Sequence, residues 1–122
     1  MSQKTILHLD DESDIRDLVA AYLTGKGYRM ISVASPGEAL EAARREPIDL
    51  VITDLQLEEA DGMATIDQLA KIRPKTPVMI LTGVMISPTI AKQTIGQRAA
   101  CFVEKTTPLA QILEVVQRLL GG

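Results

Sequence analysis

Tryptophan is absent from the 122 residues, phenylalanine and cysteine occur once each, and tyrosine occurs twice. With so few rings, any core must be assembled from Leu, Ile, Val, Ala and Met. The lone cysteine, Cys101, excludes an intramolecular disulfide and gives no thiol metal site, which suits a reducing compartment. In the last strand it reads as an inert small hydrophobe. No apolar stretch approaches the roughly 18 residues that a membrane span requires. The opening Met1-Ser2-Gln3-Lys4 runs straight into a strand-like segment without the apolar stretch of a signal peptide. The expectation is a cytoplasmic protein with no membrane contact. Charge of one sign is also scarce: 13 basic against 16 acidic residues leave a net charge of −3, and no basic run exceeds Arg44-Arg45. That balance offers no electrostatic footprint for nucleic acid, so direct nucleic-acid binding is not expected.

What is present is an ample apolar fraction, 46% of the chain, at a length that fits one domain spanning residues 1–122. No linker, repeat or low-complexity segment divides it, and no output domain is expected within it. Strand-length apolar runs alternate with helix-period stretches five times. The strands are expected at Thr5–Leu9, Arg29–Ala34, Leu50–Thr53, Val78–Leu81 and Ala100–Val103. Runs such as Leu50-Val51-Ile52 and Val78-Met79-Ile80-Leu81 suit central parallel strands covered on both faces. Between them, Ile15, Leu18, Val19 and Tyr22 form the stripe of a first helix that stops near Gly25 and Gly27. Ser35-Pro36-Gly37-Glu38 spells a capping box with proline at the first helical position. A third helix is expected from Ala64 to Ile72, a fourth with a weak stripe at Pro88–Ile95, and a fifth carrying Leu109, Ile112, Leu113 and Val116. Five such units predict a doubly wound α/β sandwich with right-handed crossovers.

In that architecture ligands sit at the carboxyl ends of the strands. The first strand delivers Asp10, Asp11 and Glu12 there, the third Asp54, the fourth Thr82, and the fifth Glu104 and Lys105. Carboxylates about 4 Å apart repel by roughly 4 kcal/mol at an effective dielectric near 20, so such a cluster raises its own pKa values or recruits a cation. Hard oxygen ligands without His or Cys nearby favour Mg²⁺ (or Mn²⁺) over Zn²⁺. A carboxylate nucleophile, a metal, an ammonium and a hydroxyl together suit phosphoryl transfer through an aspartyl phosphate.

The strand ending in Asp10-Asp11-Glu12, the VITDLQL segment around Asp54, Asp61-Gly62, the PVMILTG segment around Thr82 and CFVEK ending at Lys105 together resemble the receiver domains of two-component response regulators. The likeness runs from Thr5 to Leu120; each piece alone is common, but five in order on consecutive strand ends are specific. It implies a flavodoxin-like five-stranded parallel sheet of order 2-1-3-4-5 with helices on both faces. It also implies Asp54 as phosphoacceptor, and Mg²⁺ held by Asp10, Asp11, Asp54 and the backbone carbonyl of Gln56. Thr82 and Lys105 would contact the phosphoryl group, and Thr82 with Phe102 would form the switch. The implied phosphodonor is a histidine kinase or histidine phosphotransfer protein. An unidentified protein would read the output face of the fourth helix, fifth strand and fifth helix, and the same face could pair two copies in a homodimer. Such a domain assists its own phosphorylation and dephosphorylation and is not a turnover enzyme on external substrates.

Two positions depart from the family pattern. Glu58, followed by Glu59, stands where proline is usual, and Thr106 replaces the proline that commonly follows the lysine, often in a cis bond. The sequence leaves open whether the Lys105-Thr106 bond is cis and whether a trans bond displaces Lys105. The resemblance also implies that Gln56 and Val84 occupy the places that flank the path of attacking water in the family and would tune phosphoryl lifetime. Blander readings stand beside these. Asp10-Asp11-Glu12 taken alone could serve only the dipole of the next helix, Phe102 could be plain core, and His8 reads as a structural residue of the first strand. A phosphorylation-independent binding module on the same fold is the main alternative function. A phosphohydrolase is disfavoured because Gln56 offers no carboxylate as general acid or base, and a flavin site lacks a phosphate loop after the first strand.

Overall fold

The computed structural model describes residues 3–57, 60–83 and 99–121. In chain order the elements are β1 (Thr5–Leu9), α1 (Ser13–Gly25), β2 (Arg29–Val33), α2 (Pro36–Arg45), β3 (Leu50–Thr53), β4 (Gln56–Leu57), β5 (Ala60–Asp61), α3 (Gly62–Ile72), β6 (Val78–Thr82), β7 (Cys101–Glu104) and α4 (Leu109–Leu119). Five strands form one parallel sheet in the order β2-β1-β3-β6-β7, which is 2-1-3-4-5 when only its own strands are counted. The expected architecture is therefore observed. The expected helix Pro88–Ile95, together with Val84, Glu58 and Glu59, lies outside the described residues.

Three of the five strands behave as their composition demands. Every residue of β1, β3 and β6 is buried, whereas β2 and β7 at the sheet edges are half-exposed. The two faces divide by parity. Ile6, Leu50, Ile52, Met79, Leu81, Cys101 and Val103 pack toward α1 and α4 with Val19, Leu23, Ile112 and Val116. Leu7, Leu9, Val51, Val78, Ile80 and Phe102 pack toward α2 and α3 with Ala39, Ala43, Ile66 and Leu69. This alternation is the pleat of the strands, and it decides which strand-end residues can meet.

Two expectations need correction, and one further element stands outside what was expected. Leu18 does not belong to the buried stripe of α1; its relative exposure is 53%. Ile15, Val19, Tyr22 and Leu23 form the inward arc, and at about 100° per residue Leu18 lies roughly a quarter-turn from its centre. The capping box at α2 is also offset. Ser35 Oγ accepts from the Glu38 amide at 3.4 Å, but Glu38 Oε2 accepts from the amide of Ala34, one residue before the cap. Finally, β4 and β5 pair antiparallel as a two-stranded hairpin that periodicity could not signal, since each is two residues long.

The hairpin leads into α3 through Gly62, whose role is spatial. A Cβ built there would lie 2.6 Å from the Leu55 Cα and 2.7 Å from its carbonyl carbon, both backbone atoms that cannot rotate away. Only hydrogen fits between α3 and the segment immediately after Asp54. Gly62→Ala is expected to lower unfolding stability by about 2 kcal/mol, in the range of overpacking strain, with urea denaturation as the measurement. An unchanged midpoint would show that this close approach is not needed.

Candidate functional site

The ladders of β1, β3 and β7 each run one residue beyond the strand proper. The Asp10 amide donates to the Val33 carbonyl at 3.2 Å, the Asp54 amide to that of Leu9 at 3.2 Å, and the Lys105 amide to that of Thr82 at 3.0 Å. Parity then carries Asp10 after Ile6, Asp54 after Ile52, and Lys105 after Val103, all toward the face of α1 and α4. Thr82, following Val78 and Ile80, belongs to the opposite face, which it shares with Phe102 on the neighbouring strand. The carboxylates and the ammonium thus approach the pocket from one side of the sheet and the hydroxyl from the other.

Lys105 is the centre of the pocket. Its Nζ lies 2.7 Å from Asp54 Oδ2, 2.7 Å from Glu12 Oε1 and 3.0 Å from Asp10 Oδ2. An ammonium has three N–H donors, and three carboxylates surround it. Asp10 and Asp54 are almost completely buried and Lys105 keeps 8% of its side chain exposed, while the Glu12 side chain is 61% exposed. Burial by itself would lower the Lys105 pKa, but hydrogen bonds to Asp54, Glu12 and Asp10 outweigh it and hold the ammonium firmly charged. Burial pushes the Asp10 carboxyl up from its ordinary range, against the Glu12 amide and Lys105, which both favour the carboxylate. The Lys105-Thr106 bond is trans, and Lys105 nevertheless reaches Asp54, so proline at position 106 is not needed to place it.

The loop after β1 is tied down locally. The Glu12 amide donates to Asp10 Oδ1 at 2.9 Å, and Arg16 Nη1 donates to the Asp10 carbonyl at 2.8 Å. On β3, Thr53 Oγ1 donates to the Asp54 carbonyl at 3.1 Å. Thr82 is buried at 2% exposure at the end of β6. In the parallel register Thr82 faces Glu104 and Ile80 faces Phe102, so Thr82 and Phe102 stand two residues apart on adjacent strands. Phe102 is half-buried against the core cluster of α2 and α3.

Among the described residues, the acids whose oxygens come within 4.8 Å of one another are Asp10, Glu12 and Asp54. This is a hard, all-oxygen donor set. These oxygens lie close enough together to share one cation. The three carboxylates exceed the single ammonium among them in charge. Both the geometry and the charge fit a divalent cation. Asp11 is half-buried beside this group and is not one of the three; Gln56 lies in β4 directly after the Asp54 loop. Sequence reading placed Glu12 in the acidic cluster but did not give it a ligand or lysine-pairing role. Its position two residues after Asp10 was the only signal. Arg16, one turn into α1, gave none.

Comparison with known proteins places this geometry. Residues 6–117 match the response regulator receiver domain family. The response regulator protein PilR of Pseudomonas aeruginosa is 32% identical over 98% of this chain, and the transcriptional regulatory protein GlrR of Escherichia coli is 39% identical over 64% of it. The chain spans only 27% and 18% of the lengths of those two relatives. A CheY-like receiver domain protein from Methanospirillum hungatei superposes with a TM-score of 0.90 at 26% identity, covering 98% of this chain and 95% of that one. A response regulator from Burkholderia pseudomallei, solved with a phosphorylated aspartic acid, calcium ion and citrate, superposes with a TM-score of 0.85 at 26% identity over 98% of this chain and 69% of its own.

Proposed function

This chain belongs to the response regulator receiver domain family, and from that premise we propose that it is a phosphorylation switch whose phosphoacceptor is Asp54. The observation that carries the proposal is Asp54 Oδ2 held 2.7 Å from Lys105 Nζ, in a buried acidic pocket at the carboxyl edge of the sheet. The phosphorylated aspartic acid of the Burkholderia pseudomallei neighbour supports it. The donor is a phosphohistidine on a histidine kinase or phosphotransfer protein. An Asp54 carboxylate oxygen attacks phosphorus, the P–N bond breaks, and the imidazole leaves with the bonding electrons. A divalent ion, Mg²⁺ or Mn²⁺, held by Asp10, Asp11, Asp54 and the Gln56 carbonyl, with Glu12 beside it, would neutralise charge between the carboxylates and the incoming phosphoryl oxygens.

The remaining work belongs to the side chains. Lys105 keeps its charge and exchanges a carboxylate partner for a phosphoryl oxygen. The exposed Glu12 carboxylate is the partner that can move away, since Asp10 is buried. Thr82 donates its hydroxyl to another phosphoryl oxygen from the opposite side of the sheet. Its displacement frees space for Phe102 to turn inward and changes the surface formed by β7 and α4, which an output protein then reads. Converting a 1:99 mixture of two states to 99:1 requires about 5.5 kcal/mol of differential interaction. A few charge-assisted hydrogen bonds of about 1.5–3 kcal/mol each supply that order.

The test is two-dimensional NMR of the amide signals with beryllofluoride, a phosphoryl mimic, and Mg²⁺. Signals of Thr82, Phe102 and their strand neighbours are expected to shift along with those around Asp54. Shifts confined to the Asp54 pocket, or none, would favour a binding module that works without phosphorylation.

A further inference from the structure

His8 is the only histidine in the chain, it is completely buried, and among the described residues neither ring nitrogen has a hydrogen-bond partner. Buried polar atoms without partners are costly and rare, and each calls for a reason. A residue serving only to fill β1 would more simply be Val or Ile, as its apolar neighbours on the same face are. Parity puts His8 between Ile6 and Asp10, facing α1 and α4, opposite Ile52 of β3. Its Nε2 is 3.9 Å from Asp10 Oδ2. That oxygen is itself buried and has no aligned hydrogen bond, although Lys105 Nζ lies 3.0 Å away. An unpartnered imidazole nitrogen thus faces a carboxylate oxygen that is ion-paired to Lys105 beneath the acidic pocket.

We propose that His8 is a positioning residue, whose Nε2–H donates to Asp10 Oδ2 and so fixes the Asp10 carboxylate against the cation site and Lys105. A shift of about 1 Å or one bridging water closes the 3.9 Å gap. The other oxygen, Oδ1, already accepts from the Glu12 amide at 2.9 Å and from Lys105 Nζ at 3.2 Å, and a bond from His8 to Oδ2 would complete the orientation of the carboxylate. Imidazoles and amides behind metal-binding carboxylates commonly have this effect, and removing such a partner typically weakens metal binding tenfold or more. Asp10 Oδ2 is the acceptor that faces Nε2. The inference rests on the reading of the pocket as a divalent-cation site.

The experiment compares wild type, His8→Val and His8→Gln in the full chain. Mg²⁺ affinity is followed by amide shifts, folding by thermal melting, and the ring by its ¹⁵N signals in the metal-free protein. His8→Val is expected to melt no lower than wild type, since it removes a polar group from an apolar strand, yet to bind Mg²⁺ about tenfold more weakly. His8→Gln, whose amide nitrogen can stand near the place of Nε2, is expected to recover most of that loss. The ¹⁵N signals are expected to show the proton on Nε2. A His8→Val protein with wild-type Mg²⁺ affinity, a Gln variant as weak as the Val variant, or a proton on Nδ1 would overturn the proposal. Should wild type bind no Mg²⁺ at all, the functional reading of the pocket fails, and the metal-free tautomer still decides the His8 contact separately.

Discussion

Asp54→Asn is expected to abolish phosphoryl uptake. After incubation with acetyl phosphate and Mg²⁺, wild type should gain the mass of one phosphoryl group by intact mass spectrometry, and the variant should gain none. The substitution keeps the shape of the side chain and removes the nucleophile, because an amide oxygen lacks the charge of the carboxylate that attacks phosphorus. Folding should survive. Lys105 retains Asp10 and Glu12 as partners when the Asp54 charge is removed, and one source of mutual repulsion in the cluster disappears. Melting of the variant within a few degrees of wild type would confirm that loss of uptake is chemical. A phosphorylated Asp54→Asn protein would move the acceptor to another residue, and an unmodified wild type would sink the functional reading.

Lys105→Met is expected to have the largest effect on stability. It deletes the ammonium that Asp10, Glu12 and Asp54 share at 2.7–3.0 Å and leaves two of those carboxylates buried without their partner. Breaking a buried ion pair from one side typically costs 3–5 kcal/mol. The expected loss here is about 3 kcal/mol at neutral pH, since Asp10 can escape part of it by taking up a proton. The pH dependence has a defined sign. The Asp10 pKa is already raised by burial in wild type, so the folded state holds that proton more tightly than the unfolded chain. Stability therefore falls as pH climbs from the ordinary aspartate value toward the raised one. Without Lys105 the rise is larger, so the deficit of the variant should be greatest at neutral pH and shrink toward pH values near 4. Added Mg²⁺ should stabilise the variant more than wild type, because the ion supplies positive charge where the lysine was. Urea midpoints at two pH values, with and without Mg²⁺, measure all three trends. An equal deficit at every pH would place the cost in lost packing of the lysine stem.

Both predictions turn on contacts between residues far apart in the chain, and these were legible from the sequence to different degrees. Asp10, Asp54, Thr82 and Lys105 could be assigned to strand ends because the central strands are continuous apolar runs, and in a parallel sheet the carboxyl ends of such strands share one edge. Phe102 and Thr82 could be paired through likeness to a known family, and the shared face of β6 and β7 gives that pairing its physical basis. The exposure of Leu18 was hidden, since four apolar residues at helical spacing do not reveal which edge of the arc the sheet will cover. The β4–β5 hairpin was hidden because two residues carry no period.

By its own pattern the chain determined the five-stranded parallel sheet, the edge on which the acids gather and the lysine opposite them. Hydrophobic periodicity and strand parity are local properties, written residue by residue. Only the tertiary structure decided that Glu12 completes the shell around Lys105, that Arg16 and the Glu12 amide hold Asp10, that Lys105 reaches its partners across a trans bond to Thr106, and that Gly62 must leave room for the Leu55 backbone. Each of these depends on the distance between atoms on separate elements, and such distances are set by how the helices and loops pack onto the sheet.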